Sequence, residues 1–285
     1  MREGVFERSD GRDVGWADHG EPGDTAVLWC HGGPGSRHEP AYVAGRARAA
    51  GLRLVGIDRP GYGWSDPRPG RTIAGWVPDG IAIADELGID TFLTIGVSTG
   101  GAYSLALAAM HPDRVSGVVA CCAMTDMRHE PARATMSRPH ALAVWEAPDR
   151  DGAIAAAVES HGIDGSRIIE SGEGPGLPES DLAMITSPWG RLWIDDVATM
   201  FAHGLEGYAD DRIADGPGWV DFDVDDVGCP VIVLHGSEDV ICDPIHARHT
   251  AELIPGAELR IVDGLGHMSI QEVVVPTLVD LAARV

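Results

Sequence analysis

The sequence contains no lysine and no asparagine, so all 21 of its basic residues are arginines. Against 44 acidic residues, this leaves a formal net charge of −23 at pH 7. A surface this acidic repels the phosphate backbone of nucleic acids and the anionic head groups of membranes. We therefore expect neither nucleic acid nor a membrane as a partner, and a small molecule as the substrate.

Long apolar segments are also absent from the sequence. No stretch approaches the roughly 18 uninterrupted apolar residues that indicate a membrane span. Residues 1–8 carry charges at the positions where a signal peptide has its apolar centre. These two features predict a soluble protein of the cytoplasm.

Cysteine is scarce, and its spacing matches neither a metal site nor a redox motif. Three of the cysteines lie in apolar, strand-like runs, which favours reduced residues of a hydrophobic core. The adjacent pair at 121–122 is a poor disulfide candidate, because neighbouring strand residues point to opposite faces. His246 and His249 have no acidic residue at metal-ligand spacing, so no metal is predicted. The cysteines are Cys30, Cys121, Cys122, Cys229 and Cys242.

The chain has 285 residues and 44% hydrophobic content, enough for one large α/β domain with an insertion. Apolar runs of strand character alternate with stretches of helical spacing. This order is typical of a mostly parallel sheet with helices on both faces. Strands are predicted at 4–8, 12–17, 25–30, 53–58, from 91 onward, and at 115–122, 230–235 and 257–262, with clear helices at 72–87 and 270–283.

The segment 91–107 combines a strand, a sharp turn and a helix. An apolar run rich in β-branched residues leads into Gly96-Val97-Ser98-Thr99-Gly100, and an alanine- and leucine-rich stretch follows. The pattern Gly-x-Ser-x-Gly carries weight only in such a context. A serine on this turn exposes its hydroxyl at the carboxyl edge of the sheet, which makes Ser98 a candidate nucleophile.

A serine hydroxyl needs a base within hydrogen-bond reach and an acid that orients the base. Asp239 follows the predicted strand 230–235, and His267 follows the last predicted strand. Both therefore lie beyond strand ends, on the edge of the sheet where Ser98 is expected. The three candidates also occur in the chain order nucleophile, acid, histidine.

Other acids compete with Asp239 for the orienting role. Glu238 and Asp243 lie in the same loop. Asp126 follows the predicted strand 115–122 and is a second candidate from a different strand end. We favour Asp239 and retain Asp126 as the alternative.

Strand signals stop between 126 and 221, where helix-like pieces and loops follow one another. We interpret 1–125 and 222–285 as the two parts of an α/β core, and 126–221 as a helical cap inserted between them. Large apolar side chains of this cap would line a pocket facing Ser98 or form the cap's own core. The candidates for substrate contacts are Trp145, Trp189, Trp193 and Met200.

Five motifs in this order resemble the α/β-hydrolase superfamily, and in particular its serine hydrolases with a helical cap. They are His31-Gly32-Gly33-Pro34-Gly35, Asp58-x-x-Gly61-x-Gly63-x-Ser65, Gly96-x-Ser98-x-Gly100-Gly101, His235-Gly236-x-x-Asp239 with Pro244, and Gly266-His267. The resemblance covers nearly the whole chain outside the cap. It implies Ser98 as nucleophile, His267 as base and Asp239 as its orienter. It also implies an oxyanion hole formed by the backbone amides of Gly33 and Thr99, and a site that needs no cofactor.

The serine at the elbow contrasts with the aspartate of the epoxide-hydrolase and haloalkane-dehalogenase branches. The 31–35 loop is similar to that of proline iminopeptidases, whose elbow usually reads Gly-Gly-Ser-Trp-Gly. This chain instead has Val97 and Thr99 beside the serine. We therefore predict a hydrolase that cleaves a carboxylic ester or lactone of a small, largely apolar substrate through an acyl-enzyme.

Two alternatives to an ester hydrolase stay open. An aminopeptidase of the proline iminopeptidase type would hold the substrate's amino group with a cap acid such as Glu159, Glu170 or Glu173. A non-catalytic ligand-binding protein on the same fold is the other, although the broken triad expected of such a protein is not seen in the sequence. The oligomeric state is not predicted.

Overall fold

The computed structural model describes residues 1–136, 139–167 and 176–285. In these residues eight strands form one sheet. Along the chain, the strands are β1 (Arg2–Glu7), β2 (Asp13–Asp18), β3 (Thr25–Cys30), β4 (Leu52–Ile57), β5 (Phe92–Val97), β6 (Val115–Cys121), β7 (Val231–Gly236) and β8 (Glu258–Val262). Their spatial order is β1-β2-β4-β3-β5-β6-β7-β8.

Strands β3 to β8 run parallel to one another, while β1 and β2 form an antiparallel edge beside β4. The predicted α/β class and the antiparallel start are thus confirmed. Strands β4, β5 and β7 are buried along their whole length, as expected for parallel strands covered by helices on both faces. The carboxyl ends of the parallel strands meet at one edge, and the candidate catalytic loops begin there.

Helices cover both faces of the sheet. On one face, α1 (Ala44–Ala49) and α11 (Gln271–Ala282) pack through Ala47 and Val274. On the other face lie α2 (Ile73–Glu86), α3 (Gly100–Met110) and α10 (Ile245–Leu253). Within the described ranges, no helix combines the length and the apolar character needed to cross a membrane.

Between β6 and β7, the described residues form helices and turns without a strand. The helices are α4 (Glu130–Arg133), α5 (Pro139–Trp145), α6 (Arg150–His161), α7 (Glu179–Ile185), α8 (Pro188–Met200) and α9 (Glu206–Asp215). The sequence pattern predicts helical pieces at 141–146, 153–158, 180–185 and 192–202, which fall on α5 to α8, but it does not predict α9. The run Gly172-Glu173-Gly174-Pro175-Gly176 predicts a flexible connector, and of these residues only Gly176 lies among those that the structure describes. The segment 126–221 is called the cap below.

Helix α9 is fixed to the core by a fully buried cluster of charged groups. The Asp211 carboxylate accepts hydrogen bonds from Arg59 at 3.0 and 2.7 Å and from Arg71 at 2.6 Å. The hydroxyls of Tyr62 and Tyr103 donate to the same carboxylate at 2.7 and 3.1 Å. Burying a charge is costly unless it is paired and hydrogen-bonded, and each oxygen of Asp211 has several donors. The position of α9 on the core is therefore strongly specified.

Candidate active site

Ser98 lies on the sharp turn between β5 and α3. Its φ of +54° is in the left-handed region, which costs a non-glycine residue about 1–2 kcal/mol. The flanking glycines are required by close packing: a Cβ on Gly96 would lie 2.2 Å from the carbonyl oxygen of Gly100. A Cβ on Gly100 would lie 2.0 Å from the carbonyl oxygen of Cys30. The half-buried side chain of Ser98 thus lies at the carboxyl edge of the sheet, where the sequence pattern placed it.

Asp239 and His267 form a hydrogen-bonded pair at the same edge. His267 Nδ1 donates to Asp239 Oδ2 at 2.8 Å, and the other carboxylate oxygen accepts the N–H groups of Ile241 and Cys242, each at 2.9 Å. His235 Nε2 lies 3.2 Å from Asp239 Oδ2. Burial opposes ionisation of Asp239, but the adjacent imidazole of His267 and the hydrogen bonds from both histidines hold its pKa well below the usual range. The carboxylate is therefore charged at neutral pH.

The electrostatics of His267 follow from this pair. Burial disfavours the imidazolium, but the negative charge of Asp239 outweighs burial and raises the pKa of His267 well above its ordinary value. Asp126, the alternative acid, is engaged elsewhere, because its carboxylate accepts hydrogen bonds from Arg128 Nε at 2.9 and 3.0 Å. The geometry therefore favours Asp239 over Asp126 as the acid partner of the histidine.

Two buried thiols lie next to the candidate serine and histidine. The Cys122 thiol is beside the His267 imidazole, and the Cys242 thiol is beside the Ser98 hydroxyl. Burial raises the pKa of both thiols well above the ordinary value, so both are neutral. No hydrogen bond joins Ser98 Oγ to His267 among the residues that the structure describes. Such bonds are often long in a free enzyme and form when substrate binds.

Three potential metal ligands also lie together in this neighbourhood. The ligand atoms of Cys122, Asp239 and His267 lie within 4.8 Å of one another. However, the histidine and the aspartate are already joined through Nδ1 and Oδ2, and a metal ligand must be a thiolate rather than a neutral thiol. The three groups are therefore better arranged for moving a proton than for holding a cation.

The glycine-rich loop after β3 packs directly against the elbow. A Cβ on Gly32 would lie 3.8 Å from Ser98 Cβ, and a Cβ on Gly33 would lie 2.6 Å from Thr99 Oγ1. The loop is held by a hydrogen bond from Gly32 N–H to Glu39 at 2.7 Å and by one from Arg59 to the Gly32 carbonyl at 2.8 Å. The predicted oxyanion donors, the amides of Gly33 and Thr99, thus belong to two backbone segments in contact.

Arg212 is a neighbour of the site that sequence reasoning missed. Its guanidinium donates to Thr99 Oγ1 and lies 3.1 Å from Asp215. Burial, only partly offset by Arg212, raises the pKa of Asp215 to about 6. Both residues come from α9, a stretch so polar that its pattern indicates a surface segment. The burial of these charges in ion pairs leaves no periodic signal in the sequence.

The four predicted substrate contacts occupy different environments. Trp145 packs in a cluster with Met124, Met127, Met136 and Cys242, beside the elbow. The ring of Trp189 lies 5.0 Å from that of Tyr42, and Trp193 and Met200 pack in the cap's own hydrophobic cluster. Trp145 is thus the best placed of the four, and a role in substrate binding stays a prediction for each. Of the acids considered for an amino group, Glu159 is exposed, while Glu170 and Glu173 lie outside the described residues.

Comparison with known proteins agrees with this geometry. Residues 25–149 match the family described as the alpha/beta hydrolase fold. The enol-lactonase of Burkholderia xenovorans superposes with a TM-score of 0.72 at 20% identity, covering 98% of this chain and all of that one. An esterase from Exiguobacterium antarcticum superposes with a TM-score of 0.69 at 21% identity, covering 97% of both chains. The chain thus has the α/β-hydrolase fold.

Two proteins related in sequence to this chain are named for different reactions. A proline iminopeptidase from Neisseria gonorrhoeae is 25% identical over 94% of this chain and 90% of that protein. A 2-hydroxymuconate semialdehyde hydrolase from Pseudomonas putida is 28% identical over 88% of this chain and 82% of that protein. The chain is thus a hydrolase of the α/β family that resembles proline iminopeptidases, and these relatives span more than one reaction.

Proposed function

We propose that this protein is a serine hydrolase that cleaves a carboxylic ester or lactone through an acyl-enzyme on Ser98. The observation that carries the proposal is the hydrogen bond of 2.8 Å between the buried Asp239 carboxylate and His267 Nδ1, at the sheet edge where Ser98 occupies a left-handed turn. These are the parts from which an activated serine is built. A charged acid orients a histidine, and a strained elbow presents a hydroxyl.

In the proposed reaction, His267 takes the proton of the Ser98 hydroxyl while Oγ attacks the substrate carbonyl. Asp239 stabilises the imidazolium that forms. The amides of Gly33 and Thr99 donate to the tetrahedral oxyanion, each contributing about 3 kcal/mol to the transition state. His267 then protonates the leaving alcohol, and water, activated by the same histidine, releases the acid and restores Ser98.

The surroundings of the elbow support a small and largely apolar substrate. The methionine-rich cluster around Trp145 lies on the cap side of the elbow, and methionine adapts to irregular apolar shapes. The guanidinium groups of Arg133 and Arg212 lie over the Trp145 ring, and Arg212 is paired with Asp215. Pockets that combine an apolar lining with a few fixed polar groups are typical of small-molecule sites.

The test is a panel of small esters, lactones, thioesters and aminoacyl amides, assayed with the purified protein and its Ser98→Ala variant. The proposal expects turnover of an ester or lactone by the wild type and only residual turnover by the variant. Near-normal activity of Ser98→Ala would refute it.

An aminopeptidase is the second candidate, favoured by the proline iminopeptidase relatives. It requires a buried acid free to hold an amino group. Asp215 lies near Thr99, but its carboxylate is paired with Arg212 at 3.1 Å. Faster cleavage of a prolyl anilide than of esters would establish this alternative. If a fluorophosphonate probe does not label the folded wild type, the result would instead favour the third hypothesis, a ligand-binding protein.

A further inference from the structure

The loop that carries His267 is held by a carboxylate that comes from the cap. Asp181, on α7, is fully buried. It accepts the backbone N–H groups of His267 at 2.9 Å, Met268 at 3.1 Å and Ser269 at 2.9 Å. The Ser269 hydroxyl donates to it as well, at 2.7 Å. Four donors from one short loop thus converge on a single side chain of a distant segment.

This contact provides hydrogen-bond partners both for the Asp181 carboxylate and for the backbone N–H groups of the loop. A buried carboxylate is costly unless hydrogen bonds replace its water, and bonds to a charged acceptor are about twice as strong as neutral ones. Three successive N–H groups form a concave anion site of the kind that backbone nests provide. Without Asp181, these donors would lie buried before the start of α11 with no acceptor. The loop conformation therefore depends on a residue of the cap.

Gly266 shows how closely the carboxylate approaches. A Cβ on Gly266 would lie 2.5 Å from Asp181 Oδ2 and 2.6 Å from Cγ. Real Cβ contacts are never this short, so glycine is required before His267 as long as Asp181 occupies this place. The glycine of the Gly266-His267 motif thus has a physical explanation that lies in the cap.

Asp239 and Asp181 hold the histidine at two different points. Asp239, from the core, holds the imidazole through Nδ1 at 2.8 Å. Asp181, from the cap, holds the main chain of the same residue through its N–H at 2.9 Å. A ring orientation depends on both the ring partner and the placement of the Cα atom. Moving α7 away would leave the ring partner in place but release the main chain.

We propose that Asp181 is a positioning residue for His267, and that proton transfer to and from Ser98 requires α7 to be docked with this carboxylate in the loop. The proposal rests on the proposed function, in which His267 is the base. A cap residue of this protein thus acts on the catalytic machinery.

The principal test is the Asp181→Asn variant, which keeps the shape of the side chain but turns an N–H₂ group toward backbone donors. Misplacement of a catalytic group by about 1 Å can cost 100-fold, so we expect kcat for the best ester of the panel to fall about 10- to 100-fold. KM should change little, because Asp181 touches the base loop and no pocket residue. Glu179→Gln, an exposed acid on the same helix, is the matched control and should keep wild-type kcat.

A spectroscopic measurement separates positioning from a loss of fold. The His267 Hδ1 proton, bonded to Asp239, should give a far-downfield NMR signal that Asp239→Asn abolishes. In Asp181→Asn this signal should shift or broaden while the protein stays folded by circular dichroism. In Glu179→Gln it should be unchanged.

If Asp181→Asn does not fold, Gly266→Ala tests the same contact from the other side. Its Cβ would lie 2.5 Å from Asp181 Oδ2 and displace the carboxylate while Asp181 is retained, so kcat should fall about 10- to 100-fold, whereas wild-type kcat would overturn the proposal. An Asp181→Asn protein with wild-type kcat and an unchanged Hδ1 signal would also overturn it. Failure of the proposed function looks different, since the wild type itself would then neither turn over esters nor react with a fluorophosphonate.

Discussion

Replacing Asp239 by asparagine removes the charge that faces the imidazole of His267. The structure joins the two residues by a hydrogen bond of 2.8 Å. For charge centres about 4 Å apart and an effective dielectric constant of about 20, the attraction between carboxylate and imidazolium is about 4 kcal/mol. Every 1.36 kcal/mol is roughly tenfold in rate, so loss of this stabilisation predicts a decrease in kcat of about 1,000-fold.

The sign of the pH effect is also fixed by the structure. Because the carboxylate raises the pKa of His267, its removal lowers that pKa. The acidic limb of the kcat profile, where the base becomes protonated, should therefore move to lower pH in Asp239→Asn even though the maximum falls. The assay is ester turnover across pH, paired with an NMR titration of the His267 ring protons.

Asp126→Asn is the matched control, because Asp126 is the other acid at a strand end and is paired with Arg128. We expect it to retain wild-type kcat and an unshifted profile. A large loss in Asp126→Asn, together with near-normal kcat in Asp239→Asn, would refute the assignment of the acid.

Two further changes test the cap anchor and the loop beside the elbow. Asp211→Asn leaves Arg59 and Arg71 buried without a counter-charge, so the free energy of unfolding in urea should fall by about 3–5 kcal/mol. The control is Asp195→Asn, which changes an exposed acid and should leave this free energy unchanged. Gly33→Ala places a Cβ 2.6 Å from Thr99 Oγ1, so kcat should fall about 10- to 100-fold by displacement of the predicted oxyanion donors, as measured by steady-state turnover.

The outcomes that would contradict these two predictions are specific. An unfolding free energy of Asp211→Asn equal to that of wild type would show that the buried cluster does not anchor α9. Gly45→Ala, where the added Cβ meets no atom within 4 Å, is the control for Gly33→Ala. Equal kcat in both glycine variants would show that the loop tolerates displacement.

The core of the fold could be predicted because its signals are local. Strands such as β5 and β7 are largely apolar runs, and each has a glycine at or next to its last residue. Their parallel alignment places the loops that follow on one edge, so Asp239 and His267 could be predicted to meet although 28 positions separate them. Because the sheet is parallel, as predicted, the position of a residue just after a strand indicates that it lies at the shared carboxyl edge.

The cap could be predicted only in outline, because several of the residues that it buries are charged and are buried as ion pairs. Helix α9 buries Asp211, Arg212 and Asp215, residues whose pattern indicates solvent exposure in a single sequence. Asp181 is an ordinary acid in a short polar helix until the 266–269 loop is folded against it. Ion pairs and side-chain-to-backbone hydrogen bonds between distant segments form only when the tertiary structure brings those segments together. Hydrophobic periodicity in the sequence therefore does not predict them.

The most direct measurement is mass spectrometry of the protein quenched during turnover of p-nitrophenyl acetate. Wild type should carry one acetyl group on the peptide that contains Ser98, and the adduct should be lost in Ser98→Ala and strongly slowed in Asp239→Asn. Turnover without an acyl adduct at Ser98, or an adduct that forms on Cys122 or Cys242 instead, would contradict the proposed serine mechanism.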